Sequence, residues 1–92
     1  MAGGKKSRGA TIPTIHRWQG WRVQFYSSDG SEPRHVHVRK GDAEVKVWLH
    51  DFSIARAYGV NTRDLSAIVR MVRANAVRFR EAWDGYFEHR DQ

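Results

Sequence analysis

The sequence contains no cysteine among its 92 residues. This absence excludes disulfide bonds and thiolate metal sites, and we therefore expect a protein of the reducing cytoplasm. No apolar run approaches the roughly 18 residues that a transmembrane helix needs, so we predict no contact with a membrane. Residues 1–11 carry charges but no apolar segment, and they do not resemble a signal peptide. We interpret them as a flexible basic tail that precedes a single domain, residues 12–92.

Acidic residues are few, since ten Asp and Glu stand against sixteen Lys and Arg. The formal net charge is therefore +6, and the pI is close to 10.3. Such an excess of positive charge attracts polyanions, among them RNA, DNA and acidic proteins. The alternative is a soluble basic protein that has no polyanionic partner.

Alternation of apolar and polar side chains predicts strands in three segments, residues 21–26, 35–39 and 43–49. The Lys40-Gly41-Asp42 sequence between the second and the third segment predicts a short hairpin turn. Because side chains of a strand alternate with a period of two, the valines of the hairpin are expected to share one face of a sheet. Residues 52–55 are a further candidate for a short edge strand.

The C-terminal third of the sequence has helical periodicity. Asn61 is a suitable N-cap, and apolar residues recur at a spacing of three and four as far as about residue 88. A straight helix of that length is long for a domain of this size, so we predict a bend or break near residues 74–76. The expected fold is two-layer α+β, with a small antiparallel sheet of about four strands packed by a C-terminal helix or helix pair.

The sheet face opposite the valines is predicted to be polar and exposed. It would carry His35, His37, Arg39, Glu44, Lys46, Trp48 and His50. His35 and His37 lie two residues apart on one strand, so we expect their side chains on the same face, about 6–7 Å apart.

One hypothesis is that this face binds and cleaves RNA without a metal. Histidine titrates near neutrality, so His35 and His37 are candidates for the general acid and base. The predicted nucleic-acid contacts are Arg34, Arg39 and Lys46 for phosphate and Trp48 for stacking on a base. On this hypothesis the protein is a ribonuclease that needs no cofactor.

A second hypothesis is metal binding, because two imidazoles on one strand face can share a divalent ion such as zinc. His35 and His37 would be two of the ligands. The candidates for a third ligand are His50, Glu44, Asp29 and His16.

The third interpretation assigns no chemistry to the histidines. They would be polar residues on an exposed sheet face, or part of a non-enzymatic surface that docks a partner protein. Each of the three interpretations is compatible with a homo-oligomer.

Several segments together resemble one family of small bacterial proteins, a domain of unknown function numbered 4160. The matching residues are P-T-I-H-R-W-Q-G (13–20), P-R-H-V-H-V (33–38), A-E-V (43–45) and Leu65, Asn75, Phe79 and Trp83. The chain departs from the family pattern at two positions, because Arg34 stands in place of a second proline and Ser31 falls near the place of a third histidine.

This resemblance implies a role in a toxin–antitoxin-like module. In such a module, a small acidic partner protein is encoded nearby. The family implies no particular reaction, so the chemistry has to be argued from the residues themselves.

Overall fold

The computed structural model describes the backbone of residues 13–90 and the side chains of residues 13–88. The predicted basic tail, residues 1–11, lies outside the described residues. Within the described range, five strands are followed by two α-helices, and a 3-10 helix precedes the third strand. The elements are β1 (Thr14–Trp18), β2 (Trp21–Gln24), the 3-10 helix (Ser27–Ser31), β3 (His35–Lys40), β4 (Ala43–Trp48), β5 (Ile54–Tyr58), α1 (Thr62–Ala74) and α2 (Ala76–Arg90). The predicted α+β class is confirmed, with one strand more than expected.

The sheet is an antiparallel meander in which each strand pairs with its neighbours in sequence, in the order β1-β2-β3-β4-β5. Two tight turns set its register. Gln19 and Gly20, between β1 and β2, both have positive φ angles, of 48° and 86°, as a two-residue hairpin turn requires. Gly41, at φ 57°, begins the predicted turn between β3 and β4. As a result, β3 is the central strand of the sheet.

The apolar face of the sheet forms the core with the two helices. Val36 pairs with Val47 and Val38 with Val45, and all four side chains are fully buried. The helices add five buried residues to the same cluster: Ile68, Met71, Val72, Phe79 and Trp83. The apolar stripe of the helices therefore covers the valine face of the sheet, as the periodicity predicts.

The helical segment is interrupted where the sequence predicts a break. α1 ends at Ala74 and α2 begins at Ala76. The side-chain amide of Asn75 donates a hydrogen bond to the Met71 carbonyl over 2.9 Å. A polar side chain that bonds to its own backbone in this way competes with continuation of the helix. Neither of the two described helices combines the length and the apolar character that crossing a membrane requires.

Asn61 caps α1 as predicted, because its side-chain oxygen accepts a hydrogen bond from the Asp64 amide over 2.8 Å. Replacing Asn61 with alanine removes this acceptor and is expected to lower the free energy of unfolding by about 1 kcal/mol. Urea unfolding would measure the change. An Asn61→Asp variant keeps an acceptor and is expected to unfold close to wild type, and equal losses in both variants would contradict the capping role.

Candidate functional site

The polar face of β3 is covered, which differs from the exposed face that the sequence predicts. His35 and His37 are 0% and 2% exposed. The segment of residues 27–33, here called the covering loop, folds back over this face and brings the buried Asp29 onto it. The ring of Tyr26, just before the loop, stacks on the ring of His37 with centroids 4.0 Å apart. Alternation along a strand indicates which side chains share a face, but not what packs against that face.

Asp29, His35 and His37 form a buried group, here called the Asp-His cluster. The Oδ2 atom of Asp29 lies 2.9 Å from Nε2 of His37 and 3.1 Å from Nε2 of His35. The same oxygen accepts the Tyr26 amide over 2.9 Å, which fixes the start of the covering loop. One carboxylate oxygen therefore holds the loop onto the sheet at the point where the two imidazoles meet.

The outer nitrogens of both rings have partners of their own. Nδ1 of His35 lies 2.8 Å from the Pro33 carbonyl oxygen, and Nδ1 of His37 lies 2.8 Å from Oε2 of Glu44. A carbonyl oxygen can only accept, so Nδ1 of His35 must carry the hydrogen. In a neutral ring, Nε2 of His35 is then unprotonated and carries a lone pair.

That lone pair points at a carboxylate. Nε2 of His35 is buried and makes no hydrogen bond, although Asp29 Oδ2 is only 3.1 Å away. Burial lowers the pKa of His35, against the opposing effect of its hydrogen bond to the Pro33 carbonyl. The neutral ring is therefore favoured, and two electron-rich atoms face each other at short distance. A cation between them would relieve this repulsion.

Glu44 completes the electrostatics of the cluster from the neighbouring strand. Burial raises the pKa of Glu44, but its contacts with His37 and Arg56 outweigh burial and lower it overall. Glu44 is thus held as a carboxylate against the outer nitrogen of His37. The sequence predicted that Glu44 lies on the same sheet face as His37, on the paired strand. It did not predict that Glu44 contacts Nδ1 of His37.

The residues predicted to contact RNA all interact with other residues of the chain. Arg34 forms a bidentate pair with Asp84 over 2.8 Å, and Arg39 donates a hydrogen bond to the Tyr26 hydroxyl over 2.7 Å. Lys46 donates a hydrogen bond to Glu32 over 2.7 Å, and its ammonium lies 4.8 Å from the ring centroid of Trp48. Accordingly, the pKa of Arg34 is raised by Asp84, and the pKa of Glu32 is lowered by Lys46. Whether these residues bind RNA stays a prediction.

Of the four candidates for a third metal ligand, the structure brings Asp29 into the cluster. Glu44 lies behind His37, where it supports the ring rather than joining the two Nε2 atoms. The other two candidates lie elsewhere. His50 is exposed beside Asp51, and His16 packs edge-on against Phe79, with ring centroids 5.5 Å apart. The sequence alone did not distinguish Asp29, because its position depends on how the covering loop folds.

The covering loop has no room for a side chain at Gly30. A methyl group there would lie 2.8 Å from Cδ1 of Phe87. We expect Gly30→Ala to lower the free energy of unfolding by about 1–3 kcal/mol, because the ring or the loop must move. Gly85→Ala is the matched control, since a Cβ at Gly85 meets no atom within 4 Å. Urea unfolding of wild type and both variants measures the effect. A Gly30→Ala variant as stable as wild type would show that the loop does not pack on Phe87.

Comparison with known families matched residues 20–84 to the family described as "Domain of unknown function (DUF4160)". Neither a search of curated proteins nor a search of solved structures gave a match. The matched stretch contains the covering loop, the whole hairpin of β3 and β4, and the first half of α2. Because this stretch covers more than half of the 92 residues, the chain belongs to the DUF4160 family.

Proposed function

We propose that the protein is a metal-binding domain in which Asp29, His35 and His37 hold one divalent transition-metal ion. The observation that carries this proposal is the buried, unpaired Nε2 of His35, which faces Asp29 Oδ2 at 3.1 Å. Nε2 of His37 approaches the same oxygen from its own side. Two imidazole nitrogens and one carboxylate oxygen, all suitable as metal ligands, therefore lie close together in the interior.

The spacing of the donors suits a metal. Ligands about 2.1 Å from a common ion lie about 3.0–3.4 Å from one another in octahedral or tetrahedral geometry. The nitrogen–oxygen distances of 2.9 and 3.1 Å are close to that range. All three donor atoms lie within 4.8 Å of one another, and for one ion to bind both imidazoles their Nε2 atoms would have to be about 3.0–3.4 Å apart.

The surroundings of the two histidines also match those of metal ligands. A metal-bound histidine usually donates its other ring N–H to a carboxylate or to a backbone carbonyl, which fixes the ring and its tautomer. His37 has Glu44 in this position, and His35 has the Pro33 carbonyl. An arrangement of two histidines and one carboxylate is typical of ferrous iron and zinc sites.

The test is metal titration of tag-free protein. We expect zinc to bind in a 1:1 ratio by calorimetry and cobalt to give a visible absorption band from imidazole and carboxylate ligands. His35→Ala and His37→Ala are expected to weaken binding by at least about 100-fold, and Glu44→Gln by about 10-fold, because Glu44 only orients His37. His50→Ala is the control, since this exposed histidine lies outside the cluster. Zinc binding that is unchanged in His35→Ala and His37→Ala would overturn the proposal.

The second candidate function is RNA binding within a toxin–antitoxin-like module. The net charge of +6 and the exposed arginines of α1, which include Arg63, Arg70 and Arg73, support it. Cleavage by His35 and His37 would require the covering loop to open, because both rings are buried. Binding to single-stranded RNA that falls steeply with salt would support this candidate, and a flat salt response would contradict it.

Induced expression separates binding from cleavage. If the histidines are the acid and the base, expression arrests growth and degrades RNA, and the His35→Ala/His37→Ala variant does neither while it still binds RNA. If the protein only binds RNA, the RNA stays intact in both cases.

A further inference from the structure

The strand β5 forms an edge of the sheet, and all five of its residues are exposed. In the described part of the chain it pairs only with β4, through Arg56, Ala57 and Tyr58 in regular register. Ile54 and Tyr58 are 40% and 67% exposed, which is high for side chains of their size. The outer backbone groups of this strand are therefore open to another chain.

The edge carries few of the features that normally prevent pairing. Natural proteins protect such edges with proline, charged side chains or a covering element. The strand I-A-R-A-Y has no proline and one charge, at Arg56. Its small residues Ala55 and Ala57 leave the approach of a second backbone unhindered. Apart from the charge of Arg56, its one protective feature is the irregular register opposite Ala55, and Arg56 to Tyr58 remain regular.

An apolar groove lies beside this edge, between β5 and α1. Its volume is about 360 Å³, and it is lined by Ile54, Thr62, Leu65, Ser66, Val69 and Arg70. Leu65 and Val69 are only half-buried, so part of the apolar surface of α1 is not covered by β5. Ile54, the residue of β5 that lines the groove, pairs with the core residue Val47, which places this groove on the core face of the sheet. A sixth strand would extend that face beneath α1.

Charge distinguishes between the chains that would fit. Arg56 lies on the opposite face of the edge, where it contacts Glu44 at 3.4 Å and is still 57% exposed. Arg70 lies at the groove, so a pairing segment would meet a cation on both sides. A second copy of this chain, in full antiparallel overlap of the two β5 strands, would place Arg56 opposite Arg56. Like charges directly opposite each other destabilise a pair of strands, and two copies of a +6 chain also repel. An acidic segment would be attracted instead.

We propose that the edge of β5 binds an extended, acidic segment of another protein as a sixth antiparallel strand. Apolar side chains of that segment enter the groove between Ile54 and α1, and its carboxylates on the other face lie beside Arg56. This inference uses a surface remote from the Asp-His cluster and does not depend on metal binding. It predicts recognition by backbone pairing and charge rather than by one particular sequence.

The probe is a synthetic heptapeptide that alternates glutamate and valine, added to isotope-labelled full-length protein. We expect NMR shift changes centred on residues 54–58 and 65–70. Two N-methylated versions of the peptide provide a sharp test, because only every second amide of an added strand faces the protein. Methylation of one alternate set is expected to weaken binding at least about tenfold, and methylation of the other set to change it little.

Charge is tested with matched variants. Arg56→Glu is expected to weaken peptide binding about tenfold or more, whereas Arg22→Glu makes the same change at an exposed position of β2 and is expected to leave binding unchanged. The proposal fails if a lysine–valine peptide binds equally well, if shifts fall outside β5 and α1, or if both N-methylated peptides bind like the parent. It also fails if the labelled protein dimerises through β5, or if an RNA oligonucleotide gives these shifts and the acidic peptide does not.

Discussion

Replacing Asp29 with alanine is expected to lower the free energy of unfolding of the metal-free protein by about 2–4 kcal/mol, because Nε2 of His37 and the Tyr26 amide both lose a buried hydrogen-bond partner, while relief of the repulsion with His35 offsets part of the loss. The Asp29 carboxylate contacts His35 and His37 and accepts the amide of Tyr26. Without it, the buried Nε2 of His37 loses its hydrogen-bond partner. The covering loop also loses the hydrogen bond that starts it.

Urea unfolding in the presence of a chelator, followed by tryptophan fluorescence, would measure this loss. Asp42→Ala is the matched control, since Asp42 is exposed in the turn between β3 and β4, and it is expected to change stability by less than about 0.5 kcal/mol. Asp29→Asn keeps an oxygen that accepts hydrogen bonds but is a poor metal ligand. We expect it to recover part of the stability without recovering zinc binding. If Asp29→Ala were as stable as wild type, the loop would not be held by this carboxylate.

Phe25→Ala is expected to have a comparable effect, about 3–5 kcal/mol, through the loss of packing rather than of charge. The Phe25 side chain is fully buried, and its ring contacts Trp83 at a centroid distance of 5.3 Å. The rings of Tyr86 and Phe87 lie 6.0 Å away. The substitution leaves a cavity where the end of β2 meets α2. Since small domains have about 5–15 kcal/mol of stability in total, little would remain.

Thermal unfolding of Phe25→Ala and Val77→Ala side by side would check this result. Val77 is also an apolar residue but is 65% exposed on α2, so its truncation is expected to cost less than about 0.5 kcal/mol. A shift of similar size in both variants would contradict the packing described for Phe25.

Much of the fold follows from local patterns that the sequence displays. The turn at Gly41 and the alternating valines define the central hairpin, and the cap at Asn61 and the break at Asn75 define the helices. These features were predictable because each depends on neighbouring residues and on one physical rule. The number of strands was harder to predict, because β1, with the sequence T-I-H-R-W, shows little apolar alternation. The edge strand expected at residues 52–55 is found as β5, Ile54–Tyr58.

The site was predictable only in part. The shared face of His35 and His37 follows from their spacing, but their burial depends on the covering loop, whose path no periodicity describes. For the same reason, Asp29 could not be separated from three other candidate ligands. The lone pair on His35 Nε2 could not be predicted from the sequence either, because it results from the position of the Pro33 carbonyl in the folded loop.

The place of β3 in the meander has a consequence for how the molecule opens. β3 has two strands on either side, so fraying of β1 or of β5 leaves His35 and His37 paired within the sheet. Asp29, in contrast, lies in a loop, which can open locally at lower free energy than the sheet. Backbone amides of β3 should therefore be among the slowest to exchange hydrogen, while an ion held by the cluster would enter and leave through loop opening. Metal release would then be fast relative to global unfolding, and its rate would depend on residues 27–33 rather than on the strength of the core.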